Sequence, residues 1–387
     1  MLKAKVASST LKDAFEAGKA AGGKIAAELS GIKLVYMYSS VVYDQQALLN
    51  GVKAALGDVP VIGNTSFTGV ITPEGYIGGE TFVGLMALAD AELTVGVAGL
   101  PKSGSARATG RKVAELAMQK AGKGRKPDYF YMVAPPGEEE YYLKGISEVI
   151  GRVPLFGGSA ADNSISGEWL LYTQAGAFAD GVAVALFYSD KAFANEFTGA
   201  YRETGKFGVI TKIAGDRTLM EIDGVPAVDK YVAWQGCSVD AAIGGNLLVT
   251  AITAPLGVKD PLGDLIAVRH PMNGNDDHSM AIGSNLAVGT AVGLLAASVD
   301  ELIDAAGTTL EKLKTKMGAP AGAYHLVHCG GRRAGMGERI DEVYAKVKAA
   351  AGDVPFLVEF TFGEYGFVDD GRNTCGGLML SFTGFGR

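Results

Sequence analysis

Gly57-Asp58-Val59-Pro60-Val61-Ile62-Gly63 is the stretch that decides the fold, because its Gly-x-Val-Pro hinge returns at Gly151-Arg152-Val153-Pro154 and again at Gly352-Asp353-Val354-Pro355. Each hinge follows an apolar, strand-like run (Leu34 to Ser39, Tyr129 to Ala134, Tyr324 to Cys329) and a helix-like stretch, and leads into a second apolar run. A strand, a covering helix and a second strand make a βαβ unit, and its recurrence reads as duplication of one module. The expected fold class is mixed α/β, with repeated βαβ modules forming layered β-sheets covered by helices, in two domains with internal pseudo-symmetry. The small-residue stretches Gly63-Asn64-Thr65-Ser66 and Gly157-Gly158-Ser159-Ala160 sit at matching places and imply a pseudo-twofold relation between loops.

Working outward, 387 residues are too many for one ordinary core. The 55 glycines are roughly twice the ~7% expected, with no collagen-like period, and read as tight turns and small-residue contacts. Residues 1–30 space Leu11, Phe15, Gly18, Ile25 and Leu29 along one helix face, without an export signal. Ser105 to Ala121 and Val299 to Lys316 read as helices, the latter opened by a Ser298-to-Glu301 capping box. From Phe193 to Ile222 the pattern turns β-rich, Pro226 to Trp234 reads as a short helix, and Gly376 to Phe382 as a closing strand. The domain boundary is placed there, giving domains 1–225, with two modules, and 226–387, with the third.

A net charge of −7 and no Lys/Arg run beyond two residues argue against nucleic-acid binding. No stretch approaches the ~18 apolar residues of a membrane span. The expectation is a soluble cytoplasmic protein. Three cysteines (Cys237, Cys329, Cys375) do not make a disulfide framework, and no P-loop, dinucleotide fingerprint, Cys-x-x-Cys or His-Glu-x-x-His occurs. No cofactor and no metal are expected; His325 and His328, three apart on a strand, point to opposite faces.

The sequence resembles the FIST family, ligand-binding sensory modules often found beside bacterial signalling domains. The resemblance is carried by Gly57 to Gly63, by Val153-Pro154-Leu155-Phe156-Gly157-Gly158-Ser159-Ala160-Ala161-Asp162, by Asp180 to Phe187, and in the C-terminal half by Val268-Arg269, Cys329-Gly330-Gly331-Arg332 and Phe362-Gly363-Glu364. It covers nearly the whole chain as an N-terminal and a C-terminal FIST domain. Asn64-Thr65-Ser66-Phe67 is bulkier than an all-small loop, and Tyr365 follows Glu364 where an aliphatic residue is expected. The resemblance implies a sensor for a small molecule such as an amino acid or related metabolite. No kinase, cyclase or methyl-accepting segment fits the remaining residues, so its output would pass through a separate signalling protein; self-association is left open.

The expected ligand set is Thr65, Ser66, Gly158, Ser159, Asp162, Arg269, Cys329, Arg332 and Glu364. Arg332 follows two glycines at a strand-to-helix turn, where a guanidinium and free N–H groups could bind a carboxylate or phosphate, or it is a solvated surface arginine. Arg269 is a second anion contact or the partner of an acid. Asp162 is a binding or loop-ordering acid. Glu364, between Gly363 and Tyr365, suits a ligand amine, so that arginine and carboxylate together would face one zwitterion. The alternative is an enzyme acting on an acyl or amide substrate, with Cys329 as nucleophile and His325 as base; Cys329 is otherwise a small buried hydrophobe.

Overall fold

In the computed structural model, which describes residues 1–244, 247–260, 264–368 and 373–387, the repeated hinge does the same two things three times. Its glycine ends a helix at positive φ (77° at Gly57, 75° at Gly151, 61° at Gly352) and donates its N–H to the carbonyl four residues back. Side-chain-bearing residues rarely take that backbone. Its proline has no N–H to give, but its carbonyl accepts from the preceding strand, at 2.9 Å for Val35 to Pro60, Phe130 to Pro154 and Tyr324 to Pro355. The hinge thereby fixes the parallel register of each βαβ unit.

The first module runs β1 (Lys3–Ser9), α1 (Ala14–Ala26), β2 (Ile32–Ser39), α2 (Gln45–Leu56), β3 (Val61–Thr65), β4 (Gly69–Thr72), β5 (Gly75–Gly78) and β6 (Val83–Ala89). The second repeats it with β7 (Thr94–Pro101), α3 (Ala106–Ala121), β8 (Tyr129–Ala134), α4 (Glu139–Ile150), β9 (Leu155–Ser159), β10 (Leu171–Thr173), β11 (Gly176–Phe178) and β12 (Gly181–Tyr188). The third begins with β13 (Phe193–Thr198) and is interrupted by an insertion: β14 (Arg202–Ala214), β15 (Thr218–Ile222), β16 (Val225–Pro226), α5 (Ala227–Gln235), α6 (Leu247–Thr250), β17 (Leu256–Lys259), β18 (Ile266–Arg269), β19 (Pro271–Gly274), β20 (Met280–Ile282) and β21 (Ala291–Ala296). It resumes with α7 (Val299–Met317), β22 (Ala321–Cys329), α8 (Gly330–Met336), α9 (Ile340–Ala351), β23 (Phe356–Thr361), β24 (Glu364–Gly366), β25 (Thr374–Gly376) and β26 (Leu380–Gly386).

Each module builds a mixed sheet, and each sheet is completed by a strand pair from another module. The orders are β1-β6-β2-β3-β10-β11, β7-β12-β8-β9-β24-β25 and β13-β26-β22-β23-β4-β5. The first module thus lends β4–β5 to the third, the second lends β10–β11 to the first, and the third lends β24–β25 to the second. This cyclic exchange relates the repeats about an approximate threefold axis. It corrects the twofold expectation: the third copy carries Val358-Glu359-Phe360-Thr361 where the others have Gly63-Asn64-Thr65-Ser66 and Gly157-Gly158-Ser159-Ala160, which hid the equivalence.

Helix pairs cover the outer faces, and the inner faces meet on the axis. Tyr36, Tyr131 and His325, each one residue beyond a hinge-bonded position, bring their rings to centroid separations of 4.5–5.4 Å. Around them the fully buried Tyr38, Asn64 and Glu359 close a polar network. The Tyr131 hydroxyl donates to Asn64 Oδ1 (3.1 Å), Asn64 Nδ2 donates to Glu359 Oε2 (3.0 Å), and Tyr38 bonds His325 Nε2. Burial holds the His325 imidazole neutral, with its pKa down to about 3, and lifts Glu359 to about 8.

Three further expectations change. Asn64, Thr65, Gly158 and Ser159 belong to strands, because the exchanged pairs dock there (Leu171 opposite Asn64, Glu364 opposite Gly158). The N-terminal segment opens with a strand before its helix: Lys3 and Lys5 suit an edge strand, and their charge masked the pattern. The closing strand is also broken, with Leu378 at φ 54° between β25 and β26.

Candidate functional site

Parallel strands end where helices begin, and in α/β sheets that edge is where ligands sit. Here the strand ends of β8 and β22 face the insertion, and between them lies a cavity of about 500 Å³. The second module supplies Pro136 and Gly137, together with Ile165, Ser166, Gly167 and Trp169 from the loop after β9. The third supplies Cys329, Gly330, Gly331, Ala334, Phe362 and Gly377, and the insertion Arg217, Leu248, Val249, Ile252, His270, Met272, Ile282 and Gly283. Most of the wall is apolar, and Trp169 meets Phe362 edge to face at 6.2 Å.

Four polar side chains reach this wall, Ser166 at its exposed rim and three further in. His270 is buried, its Nε2 2.9 Å from the Leu248 carbonyl; this makes Nε2 the protonated nitrogen, and burial keeps the ring neutral with a pKa near 4. Arg217 donates Nε–H to Asn285 Oδ1 (2.9 Å), Nη1 to Gly283 O (3.1 Å) and Nη2 to both Glu139 and Glu140. Cys329 Sγ accepts from the N–H groups of Gly331 (3.3 Å) and Leu378 (3.2 Å). Burial nevertheless pushes its pKa far up, aided by nearby Glu364.

Of the expected ligand residues, Cys329 lies on the cavity wall. Asp162 orders the wall: its carboxylate accepts N–H groups from Ser164, Ser166, Gly167 and Glu168 at 2.8–3.1 Å, holding the loop that carries Trp169. Arg332 is fully buried and away from the wall, donating to the carbonyls of Gly199 (2.8 Å), Leu302 (2.8 Å) and Leu378 (3.4 Å). Glu364 is buried too, accepting from Met379 N–H (2.8 Å) and the Thr361 hydroxyl (2.9 Å); burial raises its pKa to about 8. Thr65 bonds the Leu170 backbone, Ser66 bonds Gly69 and Phe360, and Ser159 bonds Glu139 and Tyr365. Arg269 lines two other clefts and donates to the Cys375 carbonyl at 3.3 Å. The zwitterion clamp of Arg332 or Arg269 with Glu364 and Asp162 is therefore not assembled at this cavity.

The Cys329–His325 pair is also not assembled. Four residues along one strand are about 13 Å apart, and His325 is held in the axial network. Sequence reasoning missed Trp169, Phe362, His270 and Arg217. Trp169 is one of only two tryptophans, and Phe362 stands in the family-like stretch before Gly363-Glu364, both usable signals; His270 and Arg217 are joined only by the insertion's placement. Among the described residues no cluster of three or more His, Cys, Asp or Glu could hold a metal ion. No helix among them is long and apolar enough to cross a membrane.

None of the curated proteins compared with the chain matches it. Among solved structures it is similar to a cyanuric acid hydrolase from A. caulinodans (13% identity, all of both chains covered, TM-score 0.34) and to a second cyanuric acid hydrolase (9%, all of both chains, 0.35). It is also similar to PurLQS from Thermotoga maritima (10%, 99% of this chain and 72% of that one, 0.24). With TM-scores this low, none of these likenesses bears on the chemistry. The FIST N domain matches residues 33–225 and the FIST C domain residues 227–366, the seam falling in β16 within the insertion. The chain belongs to the FIST family of sensory domains.

Proposed function

We propose that this protein is a small-molecule sensor whose ligand occupies the cavity between the β8 and β22 strand ends and the insertion. The observation that carries the reading is the wall itself, with Trp169, Phe362, Leu248, Ile252, Met272 and Ile282 around about 500 Å³ and few polar groups, at Arg217, His270, Ser166 and the Cys329 turn. Pockets of that size and balance suit a ligand with an apolar body and few polar groups. An amino acid with a large apolar side chain, or a related metabolite, fits this description better than a highly charged one. Its output would pass to a separate signalling protein in the cytoplasm.

Calorimetric titration tests the reading. Leucine and phenylalanine are expected to bind, whereas aspartate and lysine are expected not to. Gly283→Phe would fill the cavity from a position where a Cβ meets only ordinary contacts, Met272 Sδ at 3.5 Å being the nearest; it is expected to abolish binding while leaving the circular-dichroism spectrum unchanged. Equal binding to both forms would remove the cavity from consideration. The enzyme alternative keeps one supporting feature, the nearness of Glu364 to Cys329, but loses the base it was built on.

A further inference from the structure

The insertion is attached to the body in two unlike ways, and the difference lies on opposite sides of the cavity. On one side are its chain connections. The entry passes Gly199 and Ala200, the latter at φ 53°, a backbone that residues with a Cβ seldom adopt. The exit leads through Ala297 into the first turn of α7 at Leu302. The fully buried Arg332 guanidinium donates to the carbonyls of both Gly199 and Leu302, so one side chain pins entry and exit to the third module.

On the other side no covalent connection exists, and the contact is polar. Arg217, in the turn between β14 and β15, reaches across to Glu139 and Glu140 in the first turn of α4. Asn285 N–H donates to Glu140 Oε1 (3.0 Å), and the Tyr141 hydroxyl donates to Asp216 (2.5 Å). Glu139 is itself held in the second module, accepting from Gly137 N–H (2.8 Å) and Ser159 (3.0 Å). The Arg217 and Glu140 side chains keep 21% and 24% of their exposure, so water and salt reach this contact. Arg217 also lines the cavity.

We propose that the insertion is a lid over the cavity, pivoting where Arg332 pins its two connections and latched by Arg217 on Glu139 and Glu140. Opening the latch separates the insertion wall, with Leu248 and Ile252, from the wall carrying Cys329 and Phe362. The pivot is dry and neutralised by carbonyls, whereas the latch is an ion pair that ions in solution can weaken. The lid rests on the cavity being the ligand site, but its opening can be measured without any ligand.

Cys329 is the built-in reporter, since it is 3% exposed and lines the cavity. Cys237 is exposed and serves as the control, whereas Cys375 shares a cleft with Arg269, Asn285 and Glu140 at the same seam and is not independent of the latch. The experiment follows the reaction of each thiol with an aromatic disulfide reagent, resolved by peptide mass. Arg217→Ala is expected to speed Cys329 about tenfold and Glu140→Gln about threefold, with Cys237 unchanged, because local opening exposes only its own segment. Raising the salt should speed Cys329 in the parent and have little effect in Arg217→Ala. Should Arg217→Ala fail to fold, Glu140→Gln and Tyr141→Phe carry the test, as each leaves Glu139 paired. A Cys329 rate within twofold of the parent in all variants, or an acceleration no larger than the loss of global stability in urea unfolding accounts for, would overturn the lid. Failure of leucine and phenylalanine to bind would count against the ligand reading and leave these rates as they are.

Discussion

Arg332 donates to carbonyls of Gly199, Leu302 and Leu378 from a position with no solvent contact, so its loss leaves buried acceptors without donors. Arg332→Met is expected to lower the unfolding free energy by about 2–4 kcal/mol in urea titrations. Because the cavity wall does not include it, any loss of ligand affinity should come only together with this loss of stability, through the loosened pivot. A large affinity loss without a stability loss would return Arg332 to the ligand site. In the sequence this residue looked like an anion contact, since a Gly-Gly-Arg turn after a strand is the same whether the guanidinium meets a ligand or the chain's own carbonyls. What decided it lies 133 residues away at Gly199, beyond the reach of local pattern.

At the scale of elements, the glycine excess has a concrete use. A Cβ on Gly51 of α2 would stand 2.0 Å from the Phe15 carbonyl of α1, and one on Gly18 would stand 2.3 Å from the Leu48 carbonyl. Gly110 and Gly145 repeat the arrangement between α3 and α4, at 2.3 and 2.0 Å from the carbonyls of Tyr142 and Arg107. The paired helices therefore touch backbone to backbone. Gly51→Ala is expected to cost roughly 2–3 kcal/mol by forcing them apart, whereas Gly23→Ala in α1, with nothing within 4 Å, should gain about 0.5–1 kcal/mol through helix propensity. Urea unfolding of the two variants checks both signs. The βαβ units were legible because hinge, strand and helix are contiguous. The exchanged strand pairs were not, since their partners belong to other modules, and β4, β5 and β24 are too short to announce themselves.

At the scale of the whole molecule, three sheets close around an axis that buries ionisable groups, and this sets how stability responds to pH. Burial raises Glu359 and Glu364 from 4.5 to about 8, so between those values the folded protein holds protons that the unfolded chain has released. The stability they confer is present at low pH and is lost as pH rises toward 8. His270, His325 and His328 work the other way, with folded values of about 4, 3 and 3 against 6.5, but their contribution is complete above about pH 6.5. From pH 6.5 to 8 the carboxyls act without that opposition, and the melting temperature is expected to fall. Glu359→Gln combined with Glu364→Gln, which mimics the protonated pair, should flatten that fall; an equally steep slope in the double variant would show that other groups cause it. The axial cluster could not be read from sequence, because Tyr36, Tyr131 and His325 come from three modules and differ in residue type.

The placement of the ligand between the β8 and β22 strand ends and the insertion is tested most directly by hydrogen exchange of the full chain with and without saturating phenylalanine or leucine. Protection is expected in three separate segments, 165–169, 247–252 and 329–334, together with slower opening at residues 282–285 as the lid closes. Protection confined to the clefts around Arg269 and Asn285, or no change in any of the three segments, would contradict the site.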